Sequence, residues 1–409
     1  MNKVNTEKKT GCCLGGCLKY VLILVAVIVV CVVVASMDID SGIKSGGTST
    51  VVTTDTDYCA YYPMLTESEQ HMYDELLKAV QNGKLSCRID DVDYDLYVQG
   101  FGRAAIALTY DHPELFWVQG SSTCRGSNSL FGEGGYVEIE LECFEYWQYT
   151  MDPDKYISAL MAEVDRVAGQ AAVYSTDYEK TKYVHDYLVN TAIYDYDALE
   201  ESEKTIHDAN CEYIYSAYGC LVNKKTVCAG YAKAFQLIMN KLDIPCTMVA
   251  GHSLSGEYHG WNRVVLDGES YYIDVTWDDH DVMDDAGRQM YPDEATYDYF
   301  GLTTEELEQD HIIEEIYFED TPCNGTEYDY FVYNDYELSS YTLEGVKAIF
   351  DRQAAQDIVS VRFTNKAAYD QAMAKLFDEN DPQITEISSL GNWQRYRWND
   401  DQRVITIYK

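Results

Sequence analysis

The longest apolar run in the chain lies near its N-terminus. From Tyr20 to Ala35 the sequence YVLILVAVIVVCVVVA carries no charge and has no polar face. A helix apolar on every side predicts membrane burial rather than packing on a core. The run is a little shorter than the ~20 residues of a usual span. Lys3, Lys8, Lys9 and Lys19 precede it, and Asp38 and Asp40 follow. Lysine on the N-terminal side keeps that side in the cytoplasm and puts the rest of the chain outside. Val33-x-Ala35 is a poor cleavage motif, and Val30 stands where a lipobox needs a small residue before Cys31. The expectation is a retained single-pass anchor in the cell membrane with an external C-terminal portion; the alternative is secretion after signal cleavage. Residues 36–57 are rich in Ser, Thr, Gly and Asp without helical period, and read as a flexible stalk.

From Tyr58 onward the apolar positions form short periodic segments. Thr66-Glu-Ser-Glu69 reads as a capping box. Behind it Met72, Tyr73, Leu76, Leu77 and Val80 share one helical face, and Asn82-Gly83 ends the helix. Residues 85–150 read as mixed, with strands expected near 94–98, 115–119 and 136–144. In the last of these, GYVEIELECF alternates as a half-buried strand does. A second helix is expected from about Pro153 to Gly169. A third starts at the capping box Thr176-Asp-Tyr-Glu179 and carries Tyr183, Val184, Tyr187 and Leu188 to about Ala192. Beyond about 320, helices near 343–355 and 366–377 and strands near 357–363, 393–399 and 402–408 predict a small α+β unit for packing or binding.

Residues 226–279 combine two periods. Thr226 suits a helix N-cap, which puts Val227 and Cys228 in the first turn. Phe235, Ile238, Met239 and Leu242 form the buried face, and the helix must end before Pro245. Asp267-Gly268, between VVL and SYYI, is a two-residue hairpin signal. Counting outward from that turn, Trp261 faces Asp274 and His259 faces Thr276. Alternation puts these four on one face, and Val264, Leu266, Ile273 and Val275 on the other. His259 and Asp274 become diagonal neighbours within side-chain reach.

That placement has chemical content. A cysteine in the first turn of a helix meets unpaired N–H groups and the positive end of the dipole, which favour the nucleophilic thiolate. Ala229-Gly230 leaves room for a substrate carbonyl, and the Cys228 N–H is a candidate oxyanion donor. An aspartate that accepts from one imidazole nitrogen fixes the tautomer and leaves the other nitrogen to the thiol. Cys228, His259 and Asp274 are thus candidate nucleophile, base and orienter. Cys228 alone would read as a buried or bridged cysteine; the hairpin changes that reading.

Composition narrows the partners. The net charge of −39 leaves no basic surface for nucleic acid. The 37 tyrosines suit half-buried sheet and carbohydrate-facing surface without choosing between them. Of the 13 cysteines, Cys12, Cys13, Cys17 and Cys31 lie in or next to the apolar run. If Cys228 is a free nucleophile, the remaining external cysteines are even in number and could pair in an oxidising exterior, with connectivity open. No CxxC pair marks a zinc site. The acidic stretch from Asp278, DDHDVMDDAGRQMYPDE, does not follow EF-hand spacing and reads as a solvated loop. His112, in the Asp111-His112-Pro113 turn, and His185 and His207 read as structural or surface histidines. No metal and no cofactor are expected.

The strings VCAGYAKAF, IPC, HGWN and YYIDVTWDD resemble the core of the transglutaminase-like superfamily, of papain-like fold, over roughly residues 177–300. Residues 60–176 and the tail resemble flanking regions of secreted bacterial members. The resemblance implies an α+β core in which a cysteine-bearing helix packs on an antiparallel sheet. By position Cys228 matches the nucleophile, His259 the base and Asp274 the third member. Tyr218 is the candidate for the upstream aromatic that assists the oxyanion in some members. His252 precedes His259 by seven residues, but its Gly/Ser-rich surroundings and lack of a strand-borne aspartate argue against it as the base. Members include cross-linking transamidases, peptidases and deglycosylating amidases. The implied function is thiol acyl transfer on protein or peptide amides at the cell surface, with a lean to hydrolysis because no acceptor-lysine site can be read. The alternative is a non-catalytic surface module that binds peptide or glycan. The organisation expected is a cytoplasmic N-terminus (1–19), an anchor or signal (20–36), a stalk (37–57), an N-terminal α+β region (58–175), the transglutaminase-like core (176–318) and a C-terminal α+β domain (319–409).

Overall fold

The computed structural model describes residues 58–129, 134–144, 153–204, 212–279, 295–315, 317–319 and 321–409. The expected anchor, the stalk, the cysteines at its membrane side, His207, Cys211 and the acidic loop from 280 to 294 lie outside the described residues. No helix among the described residues is long and apolar enough to cross a membrane.

The N-terminal part wraps helices on a small sheet. Helix α1 (Glu67–Gln81) starts at the expected capping box: the Thr66 hydroxyl accepts from the Glu69 amide, and the Glu69 carboxylate accepts from the Thr66 amide. Strand β1 (Ser86–Val92) follows, then helix α2 (Tyr94–Asp111), where a strand was expected at 94–98. Five residues of apparent alternation misled; Asp93 caps the segment by accepting from the Asp95 amide, and Ala104, Ala105, Ala107 and Leu108 recur at helical spacing inside the core. The next strand begins later than expected, as β2 (Val118–Ser127), and β3 (Gly135–Cys143) lies close to the expected range. The antiparallel sheet has the order β1-β3-β2.

Helices α3 (Pro153–Ala171) and α4 (Asp177–Val189) follow, the second with its expected capping box, and then α5 (Tyr196–Lys204). Helix α6 (Cys228–Lys241) begins one residue later than the sequence reading. Val227, not Thr226, holds the N-cap position and offers no side-chain cap. The Thr226 hydroxyl instead donates to the Ile214 carbonyl at 2.8 Å. It thereby anchors Lys225–Thr226, which pairs in parallel with Ile193–Tyr194.

The central sheet contains β4 (Cys246–Ser253), β5 (Tyr258–Leu266), β6 (Glu269–Ile273), β7 (Phe300–Leu302) and β8 (His311–Ile313). Its order is β8-β4-β5-β6-β7, antiparallel throughout. Asp267 and Gly268 both take positive φ, 49° and 88°, as a two-residue hairpin turn requires. Asn262 pairs with Ile273, the register counted from the turn. The strand ends there. Asp274 is the N-cap of a one-turn helix, α7 (Val275–Asp278), so Asp274, Val275 and Thr276 do not continue the strand alternation expected of them. Helix α6 lies on β4 and β5, tied by the Asn262 amide donating to the Ala232 carbonyl at 2.9 Å.

The C-terminal part has α8 (Leu343–Arg352), β9 (Ile358–Phe363), α9 (Lys366–Leu376), β10 (Arg395–Asn399) and β11 (Val404–Tyr408), near the ranges expected. With Glu337–Leu338 at one edge its sheet runs 337–338, β9, β11, β10. One apolar cluster extends from Tyr61 through Phe235 and Ile238 to Ile407. Each large side chain buried in it contributes ~1.5–3 kcal/mol relative to exposure. Polar contacts also join the C-terminal sheet to the centre: Arg397 pairs with the buried Asp298 at 2.6 Å, and Asn399 donates to Asp298 at 3.1 Å.

Candidate active site

Cys228 is the first residue of α6, partly exposed and unbridged. His259 comes from the start of β5 and Asp274 from the cap of α7. The sheet register brings the latter two together: His259 Nε2 donates to Asp274 Oδ2 at 2.5 Å. The Cys228 thiol lies within electrostatic range of the same ring. With Nε2 committed to the carboxylate, the second ring nitrogen is the one left to sulfur. The three predicted residues are thus brought near one another from a helix, a strand and a turn, with the His259–Asp274 pair hydrogen-bonded.

Asp274 is held on all sides. Its Oδ1 accepts from the Thr276 and Trp277 amides at 2.9 and 3.2 Å, the bonds that cap α7. Its Oδ2 accepts from His259 and also from His311 Nε2 at 3.1 Å. Burial alone would raise its pKa, but the charges and hydrogen bonds of the two imidazoles outweigh burial and hold the carboxyl well below its usual range. Burial likewise pulls the His259 pKa down, and the charge and hydrogen bond of Asp274, with the nearby Cys228 thiol, reverse that and push it up to about 10. Such a ring is stabilised as imidazolium, the partner that a thiolate needs.

His311 was not anticipated. It lies in TEELEQDHIIEE, a charged stretch whose strand is only three residues long, so periodicity offered no signal. It is fully buried, and its Nδ1 donates to Asp310 Oδ1 at 2.6 Å. The Trp277 ring lies 4.1 Å from the His311 ring and 5.3 Å from that of His259, covering both.

His259, Asp274 and His311 offer ligand atoms within 4.8 Å of one another, near enough to consider a cation. Zinc, however, sits ~2.0–2.2 Å from each nitrogen or oxygen ligand. Direct contacts of 2.5 and 3.1 Å from the two imidazoles to the same carboxylate oxygen leave no space for an ion between them. The arrangement fits protons.

Other readings change. Gly230 does not open space for a substrate: a Cβ there would meet the Thr226 hydroxyl at 1.9 Å and the Ile214 and Ser216 carbonyls at 2.8 Å. Its role is to let α6 press against the preceding segment. Tyr218 packs between Phe116 and Tyr156, with ring centroids 5.5 and 5.4 Å away. Tyr194 lies within electrostatic range of the Cys228 sulfur; burial first, then the thiol's charge, raises its pKa. Lys233 is also in range, with its ammonium donating to the Tyr215 carbonyl at 3.0 Å; burial pulls its pKa down to about 8, against the pull of Cys228. His252 stands apart, 3.8 Å from Glu314. His185 is fully buried between Asp186 and Asp278, a structural position. The expectation of paired cysteines is not met at Cys59, Cys87, Cys220 and Cys246, which are thiols; burial pushes the Cys220 thiol up to about 12.

Residues 165–275 match the family model of the transglutaminase-like superfamily. Among curated proteins none matches the chain. Among solved structures the chain is similar to a TGase, at 18% identity over 46% of this chain and 50% of that one, with a TM-score of 0.29. It is also similar to a candidate cysteine protease from Cytophaga hutchinsonii, at 14% identity over 38% of this chain and 61% of that one (TM-score 0.22). A candidate protease from Parabacteroides distasonis matches at 11% identity over 37% and 35%, with a TM-score of 0.21. The chain spans half of the first of these structures and less than two thirds of each of the others.

Proposed function

With residues 165–275 a domain of the transglutaminase-like superfamily, we propose that the chain is a thiol-dependent acyl-transfer enzyme acting on protein or peptide amides, with Cys228 as nucleophile, His259 as base and Asp274 as orienter. The observation that carries the reading is the short bond from the His259 imidazole to the buried Asp274 carboxylate, with the Cys228 thiol within electrostatic range of the same ring. The Cys228 thiolate attacks the amide carbon, forming a C–S bond. The imidazolium of His259 gives its proton to the leaving nitrogen as the C–N bond breaks, and a thioester remains. Water, or a primary amine, then attacks the thioester carbon; His259 takes the incoming proton, and sulfur leaves as thiolate. The first turn of α6, without a side-chain cap, is suited to hold the oxyanion through backbone N–H groups.

Hydrolysis is the favoured branch, because water is always present and no acceptor-lysine site is evident. The apolar run at 20–35 and its flanking lysines support an external portion anchored to the membrane as the location of this activity. The segments 58–175 and 319–409 are assigned as flanking α+β units around a core at 176–318.

The test incubates the full chain with a labelled amine and a casein-like protein. Amine incorporation lost in Cys228→Ala identifies transamidation; Cys228-dependent cleavage or deamidation without incorporation identifies hydrolysis. Native Cys228 that resists iodoacetamide would sink the enzyme reading and leave a peptide- or glycan-binding module.

A further inference from the structure

We propose that His311, clamped by Asp310, is a positioning residue that keeps Asp274 ionised and aligned on His259, and that the loop at Asn399–Gln402 supports this clamp from the C-terminal part. The proposal rests on the thiol-enzyme reading above.

The argument is first one of hydrogen-bond inventory. Both ring nitrogens of His311 face carboxylate oxygens: Nε2 meets Asp274 at 3.1 Å and Nδ1 meets Asp310 at 2.6 Å. Ionised carboxylates only accept, so both nitrogens must donate, and the ring is an imidazolium. It is fully buried, where a charge persists only if it is paired. Asp310, Asp274, His311 and a charged His259 then alternate in sign and balance.

The consequence appears during turnover. When His259 passes its proton to the leaving nitrogen, Asp274 faces a neutral ring. Without a second cation it would be a buried anion with only amide donors. His311 supplies the constant charge, so Asp274 need not move or take up a proton while His259 cycles.

Asp310 is fixed in turn. Its Oδ2 accepts from the Tyr299 hydroxyl at 2.8 Å and from Gln402 Nε2 at 3.3 Å. Asn399 donates to the same Tyr299 hydroxyl at 3.0 Å, and its side-chain oxygen accepts from the Gln402 amide at 3.0 Å. The C-terminal sheet thus reaches the site through Asp310. The titratable groups that face His311 are Asp274 on the α7 cap, Asp310 beside it, His259 on β5 and Tyr299; Trp261 and Trp277 complete its surroundings.

The experiment follows the rate of Cys228 alkylation by iodoacetamide against pH in the full chain. Its alkaline inflection reports loss of the His259 proton. His311→Gln keeps a donor towards Asp274 and removes the charge. Two charges about 5.5 Å apart, the separation of the His259 and His311 rings, lower each other's pKa, so the variant's inflection should rise by about one unit. Asp310→Asn should move it in the same direction by less, and it carries the test if His311→Gln does not fold. Asn399→Ala with Gln402→Ala should give a smaller upward shift; no shift removes the C-terminal support from the proposal. A purely structural His311 would lower stability and leave the inflection in place, and that result in both His311→Gln and Asp310→Asn overturns the proposal. A wild-type thiol with no histidine-linked inflection overturns the thiol-enzyme reading together with this one.

Discussion

Asp274 and Asp278 stand at the two ends of the single turn α7, and each is bonded to a histidine from another element. Their chemistry diverges. Asp274 accepts from two imidazoles and two backbone amides, and is held ionised. Asp278 accepts from His185, the Tyr299 amide and the Thr296 hydroxyl, but it is fully buried with Asp298 nearby; burial above all pushes its pKa up to about 7. The histidines differ too. The His259 ring lies within electrostatic range of a partly exposed thiol. That of His185 meets Asp186, with Tyr297 and Phe300 rings 5.3 Å away. A buried His–Asp pair is therefore not a site by itself. What decides is the group at the second nitrogen and whether a substrate can reach it.

The comparison breaks most readily at the two aspartates. Asp274→Asn should slow Cys228-dependent turnover by about 10²- to 10⁴-fold, the loss expected when a base loses its orienting carboxylate. Asp278→Asn should change turnover by less than about tenfold, since it touches neither sulfur nor His259. Equal losses in steady-state kinetics would end the distinction. Stability should invert the order. His185→Leu leaves two carboxylates without their buried partner and should cost about 3–5 kcal/mol in urea unfolding. His259→Gln leaves Asp274 with His311 and two amide donors and should cost less.

The third contrast is with pH. The folded pKa of His259 is raised from 6.5 to about 10. Its stabilising contribution is therefore complete below about 6.5 and disappears as pH rises through about 10. The stability gap between wild type and His259→Gln should narrow over that window; a constant gap would contradict the assigned charge. Asp274 acts in the opposite sense: its folded pKa is depressed, so its contribution is present above the unfolded value and lost on acidification. The smallest effect concerns the Tyr297 hydroxyl, which donates to Asp186 beside His185 at 2.9 Å. Tyr297→Phe should cost about 1 kcal/mol in thermal or urea unfolding and leave Cys228 alkylation unchanged.

Much of this was legible in the chain where the rule is local. The capping boxes at Thr66 and Thr176 and the Asp267-Gly268 turn involve residues a few positions apart. Because a hairpin turn fixes register, it also brought His259 towards Asp274 across 15 residues of sequence. Local rules failed where a short window admits two periods, as at 94–98, and where one hydroxyl had competing partners, as at Thr226.

The sequence by itself determined the elements around Cys228 and the pairing of β5 with β6, since alternation and turn chemistry leave little freedom in register. Tertiary structure decided the rest. It ended the strand at Ile273 and made Asp274 a cap, which freed one carboxylate oxygen for imidazoles while the other holds backbone amides. It brought Tyr194 within electrostatic range of the thiol, and it closed the space at Gly230. It also brought His311 and Asp310 behind Asp274, and Gln402 behind Asp310. These contacts join residues tens of positions apart through no repeating pattern. Their cause is the need to pair every buried charge, a condition that exists only once the chain has folded.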